Sequence, residues 1–297
     1  MKIFNRNQQE VIVSGWMILS LLMVMLMPLV IGLGLIIKSL PVLEEYSVFT
    51  LLFDARWSPM QGNFGFWPFI VSSFYVTVLS FVMSAPVCLL AAIYLTQYAR
   101  PWLLKIMQPV MDILAGIPSV VYGVWGILVI VPFVGQFLAP LLGKQSSGYC
   151  ILSGAIVLAV MTIPFMLSIL IEILNTIPIE LKEASLSVGA TLWETVKFVL
   201  LRQVSSGIFA SFGLGISKAL GETIAVLMVV GNVAKIPDSI FTAGYPLPAL
   251  IANNYGEMMS IPMYDSALML AALILLVMVL IFNFFSRLAI AQGEIRS

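Results

Sequence analysis

The chain has 297 residues, of which 61% are apolar and only 9% are charged; this composition excludes an ordinary soluble domain and indicates an integral membrane protein. The formal net charge is zero and no basic tail or patch stands out, which argues against nucleic acid as a partner. Histidine is absent and the two cysteines lie in apolar sequence, so we expect no metal site, no cofactor, and two inert buried thiols rather than a disulfide.

Apolar runs of about 20 residues, the length that spans the hydrocarbon layer of a membrane, occur six times. The first run is too long for the core of a cleaved signal peptide, so we predict a retained first helix. Pro118 interrupts the third run, and its continuation to Gly143 is compatible with a broken helix. The predicted spans are residues 11–37, 69–97, 106–134, 151–175, 207–232 and 266–290.

The distribution of lysine and arginine predicts the orientation. With the N-terminus inside, most of these residues fall in the inner segments, which predicts that both termini are cytoplasmic. The inner residues are Lys2, Arg6, Arg100, Lys105, Lys182, Lys197, Arg202, Arg287 and Arg296. The outer residues are Lys38, Arg56, Lys144 and Lys235.

Two connections between the spans are long. The outer one, residues 38–68, is rich in aromatic residues, proline and glycine, which suits a short ordered crossing rather than a separate domain. The inner one, residues 176–206, has Pro178 where a helix can begin and Gly189 where it can end. Thr191 with Glu194, three residues later, forms the capping-box pattern of a second helix. We therefore predict two short helices with a glycine elbow; an unstructured cytoplasmic linker is the alternative.

Motifs of the common enzyme classes are missing. Gly143-Lys144 is followed by glutamine and lacks the first glycine of a phosphate-binding loop, so we expect no ATP hydrolysis by this chain. No G-x-S-x-G elbow occurs, and the histidine motif of metalloproteases is impossible. Tyr264-Asp265 offers half of an intramembrane aspartyl protease site, but the second glycine-flanked aspartate is missing.

The fifth predicted span, 207–232, carries Lys218 and Glu222 near its middle. A cation at the membrane midplane costs roughly 2.5–3.5 kcal/mol on insertion scales. Residues four apart share a helix face, so the ammonium can meet the carboxylate, which would lower this cost. Small residues around the pair allow another helix or a solute to approach. We predict a polar pathway through the bundle at this pair; a buried ion pair that fixes helix register is the alternative.

The stretch KALGETIAVLMVVGN, residues 218–232, resembles the signature of the permease of the phosphate-specific ABC importer, the PstC family. Similar stretches are LAGIPSVVYGVWGILVIVP at 114–132 and ALIANNYGEM at 249–258, and the likeness extends from about residue 50 to residue 291. Lys218 stands where the family normally has arginine, a change that keeps the charge but loses the bidentate fork.

The inner connection resembles the E-A-A-x-x-x-G loop of ABC importer permeases, with Glu183, Ala184 and Gly189 in the matching places. These three residues are therefore expected to couple the chain to an ATPase. The third small residue of the motif is Ser185 rather than alanine, and Arg202 stands where the family has proline.

The resemblance implies an all-α membrane protein with six transmembrane helices in the type I ABC importer permease (MetI-like) architecture. Residues 1–68 would hold the N-terminal cytoplasmic segment, the first helix and the outer loop. Residues 69–291 would form the five-helix permease core, with the coupling loop at 176–206. The chain would not be an enzyme, but half of a heterodimeric pore for inorganic phosphate in the bacterial cytoplasmic (inner) membrane. Its partners would be a sister permease, two ATPase subunits and an extracytoplasmic phosphate-binding protein.

Lys218 and Glu222 are the expected pathway residues. Thr223, Ser119 and Tyr122 are weaker candidates, because a hydroxyl in a helix often bonds to its own backbone. Two other functions stay open: a permease for another oxyanion such as sulfate or molybdate, and an ATP-independent channel or secondary carrier. The latter would have no use for the predicted glycine elbow.

Overall fold

The computed structural model describes residues 6–256, 261 and 263–294, and regular structure within them is mostly α-helical. Lys2 and Arg296 of the charge distribution, and Glu257 and Met258 of the ALIANNYGEM stretch, lie outside the described residues. In chain order the helices are α1 (Arg6–Glu45), α2 (Val48–Phe53), α3 (Trp67–Tyr98), α4 (Pro101–Gly116), α5 (Ser119–Leu141), α6 (Ile151–Asn175), α7 (Ile179–Ser187), α8 (Leu192–Gln203), α9 (Ser205–Gly221), α10 (Ile224–Leu227), α11 (Leu247–Asn254) and α12 (Tyr264–Glu294).

Within the described residues, five helices are long and apolar enough to cross a membrane, namely α1, α3, α5, α6 and α12. A sixth apolar segment is formed by α8 and α9, which meet at a bend of 72°. This count confirms the predicted all-α class of a multi-pass membrane protein. Residues 13–30 of α1 are all exposed, so this part of the helix makes little contact with the rest of the chain.

The third predicted span, 106–134, has the wrong bounds. α4 ends at Gly116, Ile117 is extended (φ −66°, ψ 128°), and the crossing helix is α5. The break confirms the expected effect of Pro118, because the ring of a proline disfavours helical backbone in the residue before it. The hydroxyl of Tyr122 in α5 donates to the carbonyl of Leu114 in α4 at 2.8 Å and so bridges the break.

The outer connection between α1 and α3 is ordered. It contains α2 and a small antiparallel hairpin of β1 (Trp57–Ser58) and β2 (Asn63–Phe64). The Trp57 ring lies 5.0 Å from that of Phe69, centroid to centroid, and the hairpin packs into one core cluster with Tyr245 and Leu250. The predicted outer connection began at residue 38, where the first apolar run ends. Because α1 continues to Glu45, the connection is shorter than predicted.

The inner connection has the predicted helix, elbow and helix. α7 is followed by Gly189 in the left-handed region (φ 88°), and Thr191 caps α8. The Glu194 amide donates to the Thr191 hydroxyl at 3.3 Å, and the Thr191 amide donates to the Glu194 carboxylate at 2.8 Å. These bonds hold the pKa of Glu194, which lies in this connection, below its ordinary value, because they stabilise the carboxylate. The capping box is confirmed, and the unstructured linker is excluded.

The core of the bundle lies between α3 and α6, which pack along much of their lengths. Small side chains on the buried face of α3 allow this close approach. Those of Ser72, Ser73, Thr77, Ser80 and Ser84 are all buried. Cys88 and Cys150 are also buried, and both are free thiols, as predicted.

Candidate functional site

The helix that carries Lys218 stops before it reaches Glu222. α9 ends at Gly221, Glu222 is extended (φ −73°, ψ 127°), and α10 begins after Thr223. The prediction of one helix over 207–232 with both charges on one face is therefore wrong. The cause is local, because glycine is a poor helix former and the apolar run after it suits a packed irregular segment as well as a helix.

The segment after the break is packed against α5 and α6. A side chain on Gly126 of α5 would collide with Val229, and a side chain on Gly154 of α6 would touch Val226 and Val230. The three valines are buried, with relative exposures of at most 2%. The two glycines thus admit the segment that follows Glu222 into the interior of the bundle.

Lys218 is held by an aromatic ring instead of a carboxylate. It lies in the last turn of α9, about 20 Å along the helix axis from Ser205. Its ammonium nitrogen is 4.4 Å from the ring centroid of Phe165 in α6. No ion pair joins Lys218 to Glu222, although the structure describes both residues, so the alternative of a buried ion pair is excluded. The helix C-terminus, with its unpaired carbonyl groups, further favours a cation at this position.

Ser217, the neighbour of Lys218, links α9 to α12. Its hydroxyl lies 2.8 Å from the Asn283 side-chain oxygen and 2.9 Å from the carbonyl of Gly213. Gly213 itself packs directly against Ser286 of α12. The polar contacts and the glycine together fix α9 against its neighbour on the side of Asn283.

The three candidate hydroxyls lie where α10 packs against α5: Thr223 precedes α10, and Ser119 and Tyr122 are in α5. The Tyr122 hydroxyl donates to a backbone carbonyl across the α4–α5 break, and the Thr223 hydroxyl donates to the carbonyl of Gly221 at 3.3 Å. The Thr223 bond is the local backbone bond that was the alternative, whereas the Tyr122 bond reaches another helix, and a role for these hydroxyls in a pathway stays a prediction.

A polar cleft of about 660 Å³ lies between α4 and the C-terminal half of α6. We call it the inner cleft, and its polar lining consists of Lys105, Gln108, Asp112, Ser168, Glu172 and Asn175. Phe165, Ser168 and Glu172 are spaced i, i+3 and i+7 and thus share one face of α6. The inner cleft therefore begins at Ser168, about one helical turn after Phe165 and on the same face of α6.

The residues expected to couple to an ATPase lie on an exposed surface. The side chains of Glu183 and Ala184 on α7 are exposed, as is Gly189. Leu186 and Val188, with relative exposures of 40% and 83%, add apolar surface beside them. This surface is available for a partner.

Two side-chain hydrogen bonds attach α7 to other helices in the described part of the chain. The ammonium of Lys182 donates to the Gln97 side chain at the end of α3, at 3.0 Å. The hydroxyls of Ser185 and Thr195 lie 2.9 Å apart, which ties α7 to α8. This exposed surface is therefore connected to two helices that continue into the membrane segments.

Phe165 and the inner cleft were missed by the sequence reasoning. The chain has 18 phenylalanines, and no local pattern distinguishes this one. Asp112 and Glu172 lie near the predicted ends of spans, where charges are common. In the part of the chain that the structure describes, no cluster of three histidine, cysteine or carboxylate groups could hold a metal ion.

Comparison with protein families gives a match over residues 84–291, to the binding-protein-dependent transport system inner membrane component. A similar protein is the probable ABC transporter permease protein YqgH of Bacillus subtilis (strain 168), 37% identical over 78% of this chain and 74% of that one. The phosphate transport system permease protein PstC of Xylella fastidiosa (strain 9a5c) is 33% identical over 77% of this chain and 74% of that one. PstC of Haemophilus influenzae is 29% identical over 99% of this chain and 96% of that one.

Among solved structures, the chain resembles one from the inward-facing methionine ABC transporter MetNI. The TM-score is 0.55 at 20% sequence identity, and the match covers 76% of this chain and 93% of the other. A second crystal form of MetNI gives a TM-score of 0.52 at 22% identity. At this identity the likeness concerns the fold alone, and it confirms the predicted MetI-like architecture.

Proposed function

We propose that this chain, which belongs to the family of binding-protein-dependent transport system inner membrane components, is the permease subunit of an ATP-driven importer of inorganic phosphate. The observation that carries the proposal is Lys218, a half-buried cation in an apolar segment whose charge is neutralised by no carboxylate among the described residues. Such a residue attracts an anion at the point where the anion loses its hydration. Relatives named as phosphate transport permeases support phosphate as that anion.

Glu222 gives the site selectivity for a protonated anion. Near neutral pH, phosphate carries at least one proton and sulfate carries none. A carboxylate accepts a hydrogen bond from a protonated oxyanion and repels one that has no donor. Because α9 ends at Gly221, Glu222 lies in the extended segment after the helix. The charges of Lys218 and Glu222 therefore do not neutralise each other. An anion that bridges the two groups would satisfy both.

The inner cleft forms the cytoplasmic part of the route. It starts near Phe165, and its polar lining distinguishes it from a surface that faces lipid. Lys105 is opposed there by two carboxylates, those of Asp112 and Glu172, so the local balance is negative. A negative field weakens the hold on an anion that has passed Lys218 and favours its release into the cytoplasm.

The partners follow from the same assignment. The exposed surface around Glu183, Ala184 and Gly189 binds one ATPase subunit, and a sister permease positions the second ATPase. Closure of the ATPases moves α7, and the hydroxyl contact between Ser185 and Thr195 transmits the movement to α8 and α9.

An extracytoplasmic phosphate-binding protein delivers the anion to the opposite face, with both termini of this chain in the cytoplasm. Residues 1–68 supply the N-terminal cytoplasmic segment, the first helix and the outer loop, and residues 69–291 form the five-helix core of the pore.

Uptake of radiolabelled phosphate by proteoliposomes containing the whole complex tests this function. Lys218→Met should abolish most uptake, whereas Lys144→Met, a change of an exposed lysine in the loop after α5, should leave uptake unchanged. Competition by sulfate and molybdate tests the other oxyanions. A wild-type complex that ignores phosphate but accumulates either competitor would reject phosphate as the substrate.

A further inference from the structure

The function proposed above does not explain why Phe165 is the partner of Lys218. We propose that Phe165 is a positioning residue for the transported anion. Its ring face fixes the position of the Lys218 ammonium and does not neutralise the positive charge. The inference deepens the proposed function and rests on it. The ligand is a small inorganic oxyanion, which binds the Lys218 ammonium either in place of the Phe165 ring or together with it.

The physical distinction is between a ring and a carboxylate as the resting partner of a lysine. A carboxylate would lower the energy of the half-buried cation, but an incoming anion would then have to break an ion pair. An aromatic face attracts the ammonium through its quadrupole and carries no net charge of its own. Lys218, at 4.4 Å from the Phe165 ring centroid, is therefore stabilised and still presents a full positive charge.

The position of the ring is set by the packing of α6 on α9. Met166, the next residue, fills the space above Gly215, where an added side chain would collide with its sulfur. The Ser211 hydroxyl approaches the Met166 carbonyl at 3.5 Å, so the two helices meet again one turn away. Because α6 and α9 are held together at Met166, the neighbouring Phe165 is directed at Lys218.

Phe165 also lies where the inner cleft begins. Ser168 and Glu172 continue along its face of α6, so a lysine that released the ring would still be above the polar lining. The ring thus holds Lys218 at the upper end of the cleft. An anion that draws the ammonium away from the ring has reached the entrance of the inner route.

Fluorinated phenylalanines at position 165 test this inference, since fluorination weakens the ring quadrupole with little change in size. Trifluoro- and then pentafluorophenylalanine, incorporated into the whole complex in proteoliposomes, should lower phosphate uptake step by step, to about threefold to tenfold below the phenylalanine protein. Phe165→Leu should match the pentafluoro protein, and Phe165→Trp should retain more uptake than Phe165→Leu. The matched control is the same fluorinated series at Phe212, a phenylalanine of α9 whose ring contacts that of Phe81.

Uptake that stays constant across the fluorinated series at position 165 would overturn the inference, as would an equal decline at position 212. Failure of the wild-type complex to transport phosphate would instead reject the proposed function. The two failures are thus separated by the wild-type measurement. A step-by-step decline at position 165 alone supports the positioning role, because a purely structural side chain of constant size would not respond to ring electronics.

Discussion

The hydroxyl of Ser185 in α7 lies 2.9 Å from that of Thr195 in α8, and Thr195 is fully buried. The contact closes the elbow at Gly189 and gives α7 a fixed position against a helix that continues toward the membrane. We therefore expect any movement of the exposed surface of α7 to be passed on through a hydrogen bond between two short side chains.

Removal of one partner should uncouple this elbow. Ser185→Ala leaves the buried Thr195 hydroxyl without its partner, which costs about 1–3 kcal/mol. We expect a lower thermal midpoint of the purified complex and less phosphate transported per ATP hydrolysed. Thr195→Val added to Ser185→Ala removes the unsatisfied group and should restore part of the stability. Equal stability of the wild type and the single variant would show that the contact has no structural role.

Gly189 should tolerate only residues that accept left-handed backbone. Its φ is 88°, and no atom lies within 4 Å of the place that a Cβ would occupy, so any penalty is one of backbone conformation. Gly189→Ala and Gly189→Val are expected to destabilise the elbow by about 1–2 kcal/mol. Gly189→Asn should be milder, since asparagine enters this region more readily. ATP-dependent uptake should follow the same order, and an order in which valine is the mildest would contradict the assignment.

Gly215 should be intolerant of any side chain. A Cβ atom there would collide with the sulfur of Met166, so Gly215→Ala forces α9 away from α6 and displaces Lys218 from Phe165. Overpacking of this kind costs about 1–3 kcal/mol, and we expect a similar loss of uptake and thermal stability. Met166→Ala in the same chain should restore part of both. Gly34→Ala is the control, because nothing lies near that glycine in α1.

Glu222→Gln should reduce the discrimination between phosphate and sulfate. The amide keeps the size of the side chain and removes the negative charge that repels a fully ionised oxyanion. Sulfate uptake should rise above background while phosphate uptake falls, measured as competition between the two labelled anions. A variant that transports phosphate normally and still excludes sulfate would reject the role given to this carboxylate.

Local signals predicted the inner connection correctly and the region around Lys218 incorrectly. Pro178, Gly189 and the Thr191–Glu194 pair act over a few residues, so sequence alone locates the helix, elbow and helix. The break after Gly221 lies inside a continuous apolar run, and hydropathy carries no information about backbone conformation there. The contact between Phe165 and Lys218 depends on how α6 and α9 cross, which is a tertiary property with no trace in either segment.

Thiol labelling of Lys218→Cys tests the central claim most directly, in a chain whose buried Cys88 and Cys150 are replaced by alanine. A negatively charged, membrane-impermeant thiol reagent should modify the thiol at position 218 in the assembled complex during ATP turnover. This result would establish that the side chain faces an aqueous route. Modification only by a lipid-soluble reagent would place position 218 against acyl chains and contradict the account.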